Sequence, residues 1–113
     1  MSTGPTTERL YWYVWMILHQ LRDILMQFRS EELSQYGITV AQEAILTSLS
    51  IAQGETTINN LSKSLLRKHH TISTALTRME EKGLVNKNKK QQSDNKYSIT
   101  MTEKGKQAYE KAL

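Results

Sequence analysis

The chain has no cysteine, which excludes a disulfide framework, a thiol nucleophile and a zinc site built on thiolates. Its single proline, Pro5, lies in the small polar stretch MSTGPTTE, and residues 1–7 read as a frayed arm. Long hydrophobic runs are missing too. The most apolar segment, Leu10 to Leu18, is nine residues long and ends at His19 and Gln20, too short to cross a bilayer. No basic stretch precedes it, and Tyr11, Trp12, Tyr13 and Trp15 are poor material for a signal peptide. The expectation is a cytoplasmic protein with no membrane partner. A glycine-rich phosphate loop is absent, and neither a Ser/His/Asp order nor a carboxylate pair stands in a supporting context. The chain is therefore read as a non-enzyme without a cofactor. His69 and His70 are adjacent, but neighbouring helical positions point about 100° apart and no third ligand lies nearby, so no metal site is expected.

What the chain does have is an uneven distribution of charge. A length of 113 residues suits one domain with a modest core. A composition of 23% charged and 38% hydrophobic residues fits a folded globular chain. The formal net charge of +4 is not spread evenly. Residues 1–62 carry three basic and six acidic side chains, a net of −3, whereas residues 63–106 carry eleven basic and four acidic, a net of +7. A basic half on a mildly acidic half is the footprint of a polyanion-binding surface.

From Glu8 to about Tyr36 the apolar spacing is helical, with Leu10, Val14, Ile17, Leu21, Ile24, Leu25 and Phe28 on one stripe. Trp12, Trp15, Met16, His19 and Met26 lie on the other side. A helix with apolar residues on both faces must be covered from two directions, and in so small a chain the second cover is expected from another copy. Gly37 stops this helix. Thr39-Val-Ala-Gln42 fits a capping box that opens a second helix through Ala41, Ile45, Leu49 and Ala52 to Gly54. Glu55 to Thr57 reads as a short connection or a single β-bridge, and Thr57 can cap a third helix to about Leu66, with Ile58, Leu61 and Leu65 inward. After a tight basic turn at Arg67 to His69, the segment His69 to Gly83 places Ile72, Ala75, Leu76 and Met79 on a core-facing stripe. His70, Ser73, Thr74 and Thr77 fall opposite, with Arg78 at the edge. Short hydrogen-bonding side chains on an exposed helix face can approach a base edge. The pair of helices is a helix-turn-helix. Leu84 and Val85 begin an extended run, residues 91–95 are turn material, and Tyr97, Ile99 and Met101 alternate. The result is a hairpin wing. Thr102 caps a last helix with Ala108, Tyr109 and Ala112 on one face. The expected architecture is mainly α with a small β-wing, divided into an arm and dimerisation helix (1–36) and a winged helix-turn-helix domain (37–113) forming one compact unit with it.

Four pieces of local wording resemble the MarR family of winged-helix transcriptional regulators. Ile38-Thr-Val-Ala-Gln42 with Ile45, Leu46 and Leu49 is similar to the family's second helix, and Asn60-Leu61-Ser62 to its "eLA". Thr71-Ile-Ser followed by Arg78-Met-Glu-Glu-Lys-Gly-Leu-Val85 resembles "TVS….RLEEKGLV", and Ile99-Thr-Met-Thr-Glu-Lys-Gly105 resembles "V.LTEKG". The match covers about residues 37–106. The resemblance implies a homodimer that binds double-stranded DNA, with recognition helices in successive major grooves and wings on the flanking minor grooves. Carried over by position, His69, His70, Thr71, Ser73, Thr74, Thr77 and Arg78 are the recognition-helix contacts. Arg67, Lys68, Lys89, Lys90, Gln92, Asn95 and Lys96 are the turn and wing contacts. Where the family often has arginine at the wing tip, Asp94 is followed here by Asn95 and Lys96, and lysine enters a minor groove less readily. Family members usually continue into further dimerising helices. Helix 1 is therefore expected to carry the dimer, through Leu10, Tyr11, Trp12, Val14, Trp15, Met16 and Leu18. A crevice lined by Trp12, Trp15 or His19 is the expected place for a small-molecule effector. The simplest function is a repressor on a pseudo-palindromic operator. The alternatives are a winged-helix protein-interaction module and a DNA-coating protein without sequence preference.

Overall fold

The computed structural model describes residues 4–89 and 97–113. In chain order its elements are α1 (Gly4–Ser34), α2 (Val40–Ile51), β1 (Glu55–Thr57), α3 (Ile58–Leu65), α4 (His69–Glu81), β2 (Val85–Lys89), β3 (Tyr97–Met101) and α5 (Glu103–Ala112). The capping box at the start of α2 is complete. The Thr39 hydroxyl accepts from the Gln42 amide at 3.1 Å, and Gln42 Oε1 accepts from the Thr39 amide at 3.2 Å. Thr57 and Thr102 cap α3 and α5 in the same way, accepting from the amides of Asn60 and Gly105.

The turn between α3 and α4 is closed by Ser62. Its carbonyl accepts from the Arg67 amide at 3.1 Å, and its hydroxyl donates to the Arg67 carbonyl. Between them Leu66 takes a left-handed conformation with φ 52° and ψ 45°. The three strands form one antiparallel sheet in the order β1-β3-β2, with Thr56 opposite Ile99 and Lys87 opposite Ile99 on the other side. Glu55 to Thr57 is thus a full edge strand rather than a single bridge.

The core sits between α2, α3, α4, α5 and the sheet, built from Ile45, Leu46, Leu49, Leu61, Ile72, Leu76, Met79, Val85 and Ile99. Gly105 lets α5 approach the start of the wing. A Cβ there would lie 2.2 Å from the Leu84 carbonyl oxygen.

Helix α1 departs from expectation in three ways. It begins at Gly4 rather than Glu8, with Pro5 in the first turn, where a missing amide costs nothing. It ends at Ser34, before Gly37 with φ +73° turns the chain. Most importantly, the stripe from Leu10 to Phe28 does not reach the domain core. Leu10, Val14, Ile17, Leu21, Ile24, Leu25 and Phe28 are all half or more exposed, as are Trp12 and Trp15 opposite them. Only the last turns engage: Met26 and Arg29 are half-buried and Leu33 is fully buried. The molecule is accordingly elongated, 67 × 34 × 22 Å.

One polar junction holds α1 to the rest. Arg29 donates to both carboxylate oxygens of Glu43 on α2, to Glu32 within α1, and to the Ala112 carbonyl of α5 at 2.7 Å. The hydrogen bonds to Glu43 and then Glu32 push its pKa up further, so it is permanently cationic.

Candidate nucleic-acid interface

Helix α4 carries the chemistry on its outer face. Ile72, Leu76 and Met79 are buried and Ala75 half-buried, which fixes the rotation of the helix. His69, His70, Thr71, Thr74, Thr77 and Arg78 are exposed as a result, and Ser73 is half-buried. The Thr74 hydroxyl donates to the His70 carbonyl and the Thr77 hydroxyl to the Ser73 carbonyl, both at 3.0 Å. Each threonine therefore presents lone pairs outward, as an acceptor with its orientation set by the helix.

Lys87 of β2 belongs to this face, and sequence reasoning missed it. Its ammonium donates to the Thr77 hydroxyl at 3.3 Å, and its backbone amide donates to a Glu80 carboxylate oxygen at 3.1 Å. The base of the wing is thereby pinned to the last turns of α4. The signal that could have found Lys87 is the hairpin register, because alternation from Val85 places Lys87 on the same strand face.

Arg78, His70, Thr71 and Thr74 line a groove with Thr39 and Gln42 of the α2 N-terminus. No ion pair among the described residues includes Arg78, so the guanidinium is not consumed by an internal carboxylate. Other cations of the basic half are held by neutral acceptors within the domain. Lys82 donates to Gln42 and to the Gly37 carbonyl, and Lys104 donates to the Lys82 carbonyl. Arg67 and Lys68 are exposed at the turn, and the N-cap Lys68 makes no side-chain cap. The expected wing contacts Lys90, Gln92, Asn95 and Lys96, with the side chain of Lys89, lie outside the described residues.

The winged helix-turn-helix geometry has known counterparts. A family model for transcriptional regulators of the SarA/Rot type matches residues 27–112. The chain belongs to the SarA/Rot family of transcriptional regulators. Solved structures place this SarA/Rot member among MarR-like winged-helix regulators. Reduced AbfR bound to DNA is similar at 25% identity and TM-score 0.88, over 97% of this chain and 78% of that one. The organohalide-sensing regulator RdhR in its 2,4-dichlorophenol-bound form is similar at 26% identity and TM-score 0.85, over 92% of this chain. The SarA/Rot chain spans 62% of that regulator's length. A mutant MarR from E. coli complexed with operator DNA shares the fold at 23% identity and TM-score 0.81, over 88% of this chain and 70% of that one. No curated protein sequence matches the chain significantly.

The expected dimer residues Leu10, Tyr11, Trp12, Val14, Trp15 and Leu18 are exposed on α1, and Met16 is half-buried. Trp15 packs on His19 with ring centroids 4.1 Å apart. Neither of them, nor Trp12, lines the crevice between α1 and the winged domain. That crevice, of about 270 Å³, is formed by Met26, Ala44, Ile45, Leu65, Arg67 and Thr71 among others. No helix among the described residues is long and apolar enough to cross a membrane.

Proposed function

We propose that the protein is a homodimeric, sequence-specific regulator that binds double-stranded DNA at a pseudo-palindromic site and represses transcription by occluding a promoter. The observation that carries this reading is the α4 face. His70, Thr74, Thr77 and Arg78 stand exposed on a helix whose rotation is locked by Ile72, Leu76 and Met79. A fold of this kind seats such a helix in the major groove. In this reading Thr74, Thr77 and His70 meet base edges, while Arg67, Lys68, Lys87 and the wing lysines neutralise phosphates. Cytoplasmic location follows from the function.

The dimer is proposed on α1. Twelve large apolar side chains between Leu10 and Phe28 are half or more exposed. A soluble chain does not leave a continuous patch of that kind uncovered.

The test is fluorescence anisotropy on duplexes from the region upstream of the protein's own gene, across a salt series. Affinity should fall steeply with salt. Thr77→Ala should reduce the preference for the best duplex over a scrambled one. Lys87→Ala should weaken binding to both duplexes alike and lower the salt slope by about one. Equal loss on every duplex for both variants would overturn the assigned roles. The absence of any binding at low salt would favour a protein-interaction module instead.

A further inference from the structure

We infer that Arg29 is the positioning residue that sets the distance between the two half-sites on DNA. The inference rests on the proposed dimer through α1. Between Leu10 and Leu25 the large apolar side chains of α1 are exposed, apart from half-buried Met16, and none of them belongs to the domain core. Among the described residues, its attachment to the winged domain runs through Met26, Arg29 and Leu33, three positions on one face of its last turns. Leu33 supplies burial, which is non-directional. Arg29 supplies direction. Its fork of Nε and Nη2 engages both oxygens of Glu43 on α2, and the same Nη2 also donates to the Ala112 carbonyl at the end of α5. Three helices thus meet at one planar group, whose bidentate geometry fixes angle as well as distance.

The magnitudes make this junction decisive. The winged domain measures on the order of the 34 × 22 Å cross-section of the molecule. A turn of about 10° at the junction displaces a group about 20 Å away by about 3.5 Å, which equals one base-pair step. Two recognition helices on a two-fold axis would each move, so a small loosening at Arg29 spreads over several half-site registers. Arg29 itself lies on α1 and is not among the proposed base or phosphate contacts.

The experiment uses the full chain and a set of duplexes that carry two identical half-sites at centre-to-centre separations from about 8 to about 14 base pairs. Wild type, Arg29→Met, Arg29→Lys and Glu43→Gln are compared by anisotropy, with dimer mass checked by light scattering. Wild type should prefer one spacing by about tenfold or more over spacings two base pairs away. Arg29→Met and Glu43→Gln should flatten that preference to about threefold or less, while affinity for an isolated half-site stays within about twofold. Arg29→Lys, which keeps the charge and loses the fork, should fall between. Should Arg29→Met fail to fold, Glu43→Gln carries the comparison, since it leaves the arginine and its carbonyl contact in place. Folded dimers of Arg29→Met or Glu43→Gln that keep the wild-type spacing profile would overturn the positioning role alone. A wild-type protein that is monomeric, or that shows no spacing preference, would overturn the proposed dimeric function and this role together.

Discussion

Single residues in this molecule illustrate opposite uses of backbone conformation. Leu66 holds the left-handed C-cap of α3 with its side chain 90% exposed, so it bears the steric penalty of that conformation without packing in return. Leu66→Gly should raise stability by about 0.5 kcal/mol, read from chemical denaturation, since glycine enters this region freely. A loss of stability would contradict the strain. Gly105 is the reverse case, because its missing Cβ makes room for the Leu84 carbonyl. Gly105→Ala should cost about 1–3 kcal/mol through overpacking, seen as a lower denaturation midpoint with an unchanged slope. The capping threonines at 39, 57 and 102 were legible in the sequence because a cap and its partner lie within three residues. Lys87 and Arg29 were not, because their partners lie 10, 14 and 83 residues away. No local pattern encodes such a pairing.

At the scale of elements, periodicity identified α4 and its core stripe well. Ile72, Leu76 and Met79 share one face, and that face is buried. The two strands of the hairpin are legible from the extended run at Leu84 and Val85 and from Tyr97, Ile99 and Met101, whereas β1 is not, because three residues carry too little period to mark a strand. For α1 the period is legible and the element that covers it is not. An apolar stripe says that something must cover it, and the nearest candidate in a short chain is its own core. Instead the helix leaves the domain, and from Leu10 to Leu25 its large apolar side chains stand exposed on both faces, with only Met16 half-buried. If a second copy covers them, a charge placed in the middle should break the pair. Val14→Glu and Leu18→Glu should each raise the dimer dissociation constant by about tenfold or more in sedimentation equilibrium, because a carboxylate buried without a partner is expensive. An unchanged mass at micromolar concentration would contradict a dimer through this helix.

For the whole molecule, the charge asymmetry visible in the sequence resolves into two kinds of cation. Lys82 and Lys104 are spent on carbonyls that join the end of α4 to α2 and α5. Arg67, Lys68 and Arg78 remain exposed beside α4, and Lys87 reaches the same face. The net of +7 over residues 63–106 therefore overstates the charge free to meet a polyanion, and the salt slope should report the smaller number.

The elongated shape, with an exposed apolar helix at one end and the polar α4 face in the domain at the other, suits a two-fold assembly that presents two reading helices. Selection of bound sites from random duplex DNA tests that claim most directly. The prediction is enrichment of a pseudo-palindrome whose half-sites lie about one helical turn apart, bound by two chains. Enrichment of a single unpaired motif, or no enrichment over the starting pool, would contradict it.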